Sequence, residues 1–332
     1  MNQYKHFFGV DVSKNTIDIS YYCSDKEQII HRQFANQSDG MNEMTQWFVD
    51  LSIEIREALF CMEETGLYCF TLTNYLLKNG IDTWVEHALN IKRSIALSRG
   101  KNDKVDSKRI AQYAATHTDR LRLWKPMNAT LEKIKHLAAL RDRIVETQKR
   151  LLVPIKEFEA VGNTEMVKLI RNSIKTTIAA LDKDLKNIES KIIDIVNSDD
   201  HLLQLYKVVV SVVGIGFVTG INLIVHTQAF TIMNDSRKLA CYCGVAPFEY
   251  SSGSSIRGKT KVHPMANKKL KCNLHMAALS AVRTDADLKK YYERKVEEGK
   301  NKMSVLNAVR NKILNRVVAC VNKNKEYVKV PA

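Results

Sequence analysis

Asp103 and Asp106 stand three residues apart in the stretch Ser98–Arg109, SRGKNDKVDSKR, among lysines and arginines. On a helix that spacing puts both carboxylates on one face, where they repel each other. Solvent screening, basic neighbours or a bound divalent cation would each make the arrangement tolerable. The stretch alone also suits a capped, solvated helix start. Two more acids fall where strands are expected to end: Asp11, after the apolar FFGV, and Glu63, closing EALFCME. Strand ends beside a helix can gather four such carboxylates. Oxygen donors of this kind suit Mg2+ or Mn2+. A two-metal site of that type activates a nucleophile and stabilises the leaving oxygen in phosphodiester chemistry. Each acid also has a plainer reading. Asp11 could cap the turn at Ser13, and Glu63 could be a surface acid beside Glu64.

Ser251 and Ser252 lie in Ala246–Pro264, APFEYSSGSSIRGKTKVHP, which reads as an irregular Gly/Ser loop. Arg257, Lys259, Lys261 and His263 follow them. Such a serine is either a loop residue or a nucleophile that forms a phosphoserine link. A nucleophile needs activation and a home for the charge on the phosphate. The cations supply part of that, no local base is evident, and metal-bound carboxylates from elsewhere could complete the site. His263, Cys272 and His275 lack a fourth zinc ligand and any common zinc spacing, so zinc is set aside. Cys241 and Cys243 read as core residues of a short helix.

The elements that must position these groups follow from periodicity. Three β-forming runs joined by short polar turns, ending near residue 34, make an antiparallel meander. A helix over Gly40–Leu51 and a buried strand over Glu57–Glu64 follow. Next come a helix stopped by Asn79-Gly80, a strand over Ile81–Val85, and helices near Asn90–Ser98 and Val105–Thr116. Together they indicate an α/β domain with a mixed sheet over residues 1–125. From Met127 to Ser198 apolar residues recur at three- and four-residue steps, giving two long amphipathic helices parted near Gly162-Asn163. This coiled-coil hairpin (126–200) has Pro154 as an expected kink or interruption. Residues 201–332 read as mostly helical. Val208–Val225 resembles a helix-hairpin-helix, whose glycine turn lets backbone N–H groups approach a phosphate. The same pattern also suits a tight turn between core helices. Ala266–Arg283 is expected to be a helix opening on Lys268, Lys269 and Lys271.

The 332 residues carry 51 Lys+Arg and 36 Asp+Glu, a net charge of +15. From His201 onward there are 22 basic and 8 acidic residues, against 29 and 28 before it. So uneven a balance points the second half toward a polyanion, nucleic acid ahead of membrane. No apolar run reaches the ~18 residues of a membrane span. The N-terminus lacks a signal-peptide pattern. Seven cysteines without a CxxC pair suit a reducing, cytoplasmic protein.

Five stretches in order carry a resemblance: GVDVSK, MEETG at 62–66, KNDKVDSKRIA at 101–111, VVGIG at 212–216 and GVAPFEYSSGSSIRGKTKVHPMANKKLK at 244–271. Together they resemble the DEDD-type transposases of the insertion sequence one-ten family, with the Piv/MooV invertases, over essentially the whole chain. The resemblance implies an RNase H-like (RuvC-like) N-terminal domain, a coiled-coil middle and a helical transposase domain with a nucleophilic serine. Asp11, Glu63, Asp103 and Asp106 fall at the family's acidic tetrad and Ser252 at its serine, with Ser251 the competing assignment. Lys101, Lys104, Lys108, Arg109, Arg257, Lys259, Lys261, Lys268, Lys269 and Lys271 would face nucleic acid. Donor and target DNA are implied partners, together with a structured bridge RNA. A homodimer assembling to a tetramer is also implied, with Mg2+ or Mn2+ as cofactor. Asn102, Ser107 and His263-Pro264 depart mildly from the common pattern. Competing readings are a metal-dependent junction nuclease without serine chemistry, a non-enzymatic RNA- or DNA-binding scaffold, and an actin-like ATPase suggested by GVDVSK. The last is opposed by the lack of a second glycine-rich adenosine motif.

Overall fold

Strand β1 (His6–Val12) is apolar almost without alternation because helices cover both of its faces. The computed structural model describes residues 4–23, 28–94, 102–252 and 256–328. It leaves out the side chains of 249–252, 256, 257, 259 and 261. The chain divides into two compact units, Met1–Pro126 and Met127–Ala332.

In the first unit β1 is followed by β2 (Thr16–Cys23), β3 (Gln28–Ala35), α1 (Ser38–Asp50), β4 (Ala58–Glu63), α2 (Phe70–Lys78), β5 (Asp82–Glu86), α3 (Ala88–Ser94) and α4 (Asp103–Thr116). The sheet order is β3-β2-β1-β4-β5. The first three strands pair antiparallel, while β1, β4 and β5 run parallel, as the expected meander and later strands require. This is an RNase H-like topology. Phe8, Val10 and Val12 join Met44, Trp47 and Phe48 of α1 and Leu72 and Leu76 of α2 on one face. Phe7, Leu59, Cys61 and Trp84 meet Ile91 of α3 and Ile110, Tyr113 and Ala114 of α4 on the other.

The second unit opens with α5 (Ala129–Ala160) and α6 (Thr164–Asn197). Arg141 bonds Glu189 at 2.7 Å, Gln148 bonds Asp182 at 2.7 Å and Arg171 bonds Glu159 at 3.0 Å. One helix therefore ascends as the other descends. Pro154 lies inside α5 and does not interrupt it, so of the expected kink or interruption the interruption does not occur. The carbonyl it leaves unbonded is that of Arg150, an exposed residue, so water can take that bond.

Then come α7 (Asp200–Val210), α8 (Phe217–His226), α9 (Ser236–Tyr242), β6 (Pro247–Ser252), β7 (Ile256–Val262), α10 (Lys268–Thr284), α11 (Ala286–Glu297) and α12 (Lys302–Lys323). Leu131, Ile134, Ile188 and Ile192 of the helical hairpin share one core with Leu202, Val209, Leu274 and Leu314. The stretch expected as an irregular loop is a β-hairpin. Its Gly/Ser residues signal a loop, whereas Phe248, Tyr250, Ile256, Thr260 and Val262 supply β-formers on either side of them. Among the described residues no helix is long and apolar enough to cross a membrane.

Candidate active site and nucleic-acid interface

Gly9 sets how closely α4, which carries Asp103 and Asp106, lies on β1, which carries Asp11. A Cβ there would stand 2.0 Å from the Ala111 nitrogen and 2.1 Å from the Ser107 carbonyl oxygen. The backbone of α4 thus lies directly on β1, which only glycine permits. Beside this contact the buried hydroxyls of Ser20 and Ser107 pair at 2.8 Å, tying α4 to β2 as well. Such a bond contributes about 1 kcal/mol, and more would be lost if one partner were left unpaired.

Asp11 is two residues past Gly9, so it belongs to the α4-covered face. Val10 pairs with Met62 in the parallel β1–β4 register, which brings Glu63 alongside Asp11 at the strand ends. Asn102 caps α4, its Oδ1 accepting from the Val105 N–H at 2.8 Å, and so starts the helix at Asp103, earlier than the periodicity suggested. Asp103 and Asp106 occupy the first turn, where the helix dipole favours each by about 0.3–1 kcal/mol and offsets part of their repulsion. Asn102→Ala is expected to lower stability by about 1 kcal/mol. A urea midpoint unchanged from wild type would show that the cap does not hold this turn.

Burial, then the charges of Asp103, Asp106, Glu63 and Asp18, push Asp11 up to about 6 from its ordinary 3.8. Three of the sequence-derived acids, Glu63, Asp103 and Asp106, therefore act on the fourth, Asp11. As they stand, no three His, Cys, Asp or Glu side chains among the described residues are grouped so as to hold a metal ion. The donor set itself is all oxygen and carries a net negative field, the chemistry that suits a hard divalent cation.

Asp18 was missed in the sequence. It is directly opposite Asp11 in the β1–β2 register and only 4% exposed. His31 Nε2 at 2.8 Å and the Gln33 amide at 2.9 Å engage one carboxylate oxygen each. Asp18 is thus fixed by its neighbours and acts on Asp11 through its charge. The alternation in TIDIS reads it as a solvent-facing position. Only the strand register shows that it shares the face of Asp11.

The candidate cations divide. Lys104 and Lys108 are exposed on α4. Arg109 instead turns back to Asp106 at 3.1 Å. Lys268 is exposed, but Lys269 is ion-paired with Asp142 at 2.5 Å. Lys101 lies outside the described residues, as do the side chains of Arg257, Lys259 and Lys261 on β7. Ser252 ends β6 and pairs with Ile256, with Ser251 opposite Arg257; both serine side chains are outside the description. In the Ser211–Gly216 turn, Gly214 has φ +94° and packs against α10, where a Cβ would meet the Ala277 oxygen at 2.5 Å. Its freedom serves helix packing, and Gly216 is the glycine facing open space.

Residues 8–158 match a family model for DEDD-type transposases of IS110, and residues 206–293 match the model described as "Transposase IS116/IS110/IS902 family". The chain is an IS110-family transposase homologue. Its family-level activity is DNA transposition and recombination, the mobility of an insertion sequence. The homologue is 22% identical to the transposase for insertion sequence element IS1111A of Coxiella burnetii over 254 residues, 68% of each chain. It is 27% identical over 146 residues to the IS110 uncharacterized 43.6 kDa protein of Streptomyces coelicolor, 44% of this chain and 35% of that one. It is 25% identical over 156 residues to the IS900 uncharacterized 42 kDa protein of Mycobacterium paratuberculosis, 46% and 39% respectively. These last two matches span well under half the length of each relative. The first model covers Asp11, Glu63, Asp103 and Asp106 of the homologue, and the second covers Ser252.

Proposed function

We propose that the protein cleaves and exchanges DNA strands with Asp11, Glu63, Asp103 and Asp106 holding Mg2+ or Mn2+ and Ser252 as nucleophile. The observation that carries this is the β1–β4 register that sets Glu63 alongside Asp11, with α4 lying directly on β1 at Gly9. When bound, the cation would polarise the phosphodiester and the attacking or leaving oxygen. The chain's own parts have defined tasks. Gly9 and the Ser20–Ser107 pair hold α4 on the sheet, and the Asn102 cap fixes the turn that carries Asp103 and Asp106. Arg109 holds Asp106 by its carboxylate, and Asp18 adds negative potential opposite Asp11. Ser252 is the last residue of β6 and pairs with Ile256 at the start of β7, whose basic residues would receive the phosphate charge.

By resemblance, a structured bridge RNA guides the reaction, with one loop pairing to target DNA and another to donor DNA. The basic charge from residue 201 onward supports two polyanionic partners. The paired helices α5 and α6 would act as a coiled coil joining subunits, first as a dimer and then as a tetramer. The turn at Gly216 would meet phosphate in the manner of a helix-hairpin-helix. We treat 1–125, 126–200 and 201–332 as three functional modules of a cytoplasmic protein.

Calorimetric titration of the full-length protein with Mn2+ tests the tetrad. Asp103→Ala combined with Asp106→Ala is expected to weaken binding at least about tenfold, since several oxygen ligands are removed. Unchanged affinity would sink the tetrad reading.

A further inference from the structure

Arg310 on α12 is 5% exposed, yet it has no carboxylate partner among the described residues. Its Nη2 donates to His275 Nδ1 at 2.6 Å and its Nη1 reaches Asn307 Oδ1 at a long 3.5 Å, while Nε has no partner. The same helix shows what a structurally satisfied arginine looks like: Arg316 donates to the buried Asp285 at 2.7 Å. A guanidinium does not deprotonate, and burying it without a counter-charge is strongly unfavourable. Among the described residues no acid closes an ion pair with Arg310.

The neighbouring histidine fixes the donor pattern beside this charge. A guanidinium only donates, so His275 Nδ1 must accept, and the neutral ring then carries its proton on Nε2. Burial and the charge of Arg310 both hold His275 below its ordinary value, in keeping with that neutral form. His275 and Asn307 are half-buried and Cys272 is exposed, so an approach is open on that side. The cluster is also tied to the serine hairpin. Asn307, one turn before Arg310, donates to the Val245 carbonyl at 2.7 Å, and Val245 lies two residues before β6.

We propose that Arg310 and His275 form a subsite for a phosphodiester of the DNA strand handled at the β6–β7 hairpin, both side chains donating to its non-bridging oxygens. The choice of DNA as the source rests on the function proposed above; the anion chemistry does not. A bidentate or paired donor set of this kind is what guanidinium groups offer phosphate.

The test uses the full-length protein without divalent cation, so that binding is read apart from cleavage. Arg310→Met is expected to lower affinity for single-stranded DNA about tenfold. The log–log salt slope should shrink by close to one phosphate contact, roughly 0.7 units. In phosphate-free buffer the same variant should melt no lower than wild type, because replacing an unpaired buried charge by a hydrophobe of similar size is often neutral or stabilising. Arg310→Lys should retain the slope and part of the affinity. The ring signals of His275 should move on adding DNA to wild type and stay in place with Arg310→Met. Inorganic phosphate should reproduce the shift weakly and compete with DNA. If phosphate moves the ring while Arg310→Met binds DNA as wild type does, the nucleic-acid assignment is overturned. A large fall in the melting temperature of Arg310→Met would overturn the subsite outright and make the guanidinium structural. Recombination by Ser252→Ala would sink the serine reading and leave these binding results standing.

Discussion

A Gly9→Ala variant is expected to lose about 3 kcal/mol of stability or more, from one added methyl group. Overpacking a core commonly costs about 1–3 kcal/mol when side chains can yield. Here the methyl would stand 2.0 Å from a main-chain nitrogen and 2.1 Å from a main-chain oxygen of α4, neither of which can rotate away. Relief requires lifting α4 off β1, which strains the Ser20–Ser107 bond and moves Asp103 and Asp106 away from Asp11. Trp84 packs on Tyr113 of α4 with ring centroids 5.2 Å apart, so near-ultraviolet circular dichroism should change along with the urea midpoint. A midpoint and spectrum equal to those of wild type would contradict the close docking of α4.

Asp11→Asn is expected to cut strand cleavage by at least about a thousandfold while making the protein more stable. The loss follows from removing the carboxylate on which the other acids converge, and cation catalysis of this type supplies several kcal/mol. The gain follows from linkage. Asp11 has a folded-state value of about 6 against an ordinary 3.8, so the fold favours its protonated form. Its contribution is fully present below pH ~4 and is lost as pH rises through ~6. Asparagine, always neutral, should therefore raise stability above pH 6 and make little difference below pH 4. Discounted for the partial exposure of the carboxylate, the gain is about 1–2 kcal/mol. Denaturation of both proteins at pH 4 and pH 8, with a chelator present, measures it. A variant less stable than wild type at pH 8 would contradict the account of Asp11.

Much of the first unit was legible because its strands are short, rich in β-formers and punctuated by polar turns. FFGVDV, TIDISYYC and ALFCME each lie in a strand, and Asn79-Gly80 ends α2 as expected, with Gly80 at φ +67°. The electrostatic effect of Glu63, Asp103 and Asp106 on Asp11 was legible only as a spacing argument strengthened by resemblance, since sequence carries no strand order. Three features escaped because they depend on register or on tertiary approach. Asp18 becomes an inner residue only through its pairing with Asp11. Gly9 reads as an ordinary strand glycine until α4 is laid on it. Lys269 reads as a free cation until Asp142, on a helix more than a hundred residues away, closes on it. The β6–β7 pairing was hidden by the Gly/Ser content of the stretch, which outweighed the β-formers on either side.

The covalent link between protein and DNA tests the central claim most directly. Wild-type protein would be incubated with DNA carrying the element's ends, the guide RNA and Mg2+, then denatured and resolved by mass. A protein–DNA adduct is expected in wild type and in Ser251→Ala, with the linkage mapped by mass spectrometry to Ser252. It should be absent in Ser252→Ala and strongly reduced in Asp11→Asn. An adduct, or recombined DNA, formed by Ser252→Ala would contradict the assignment of the nucleophile.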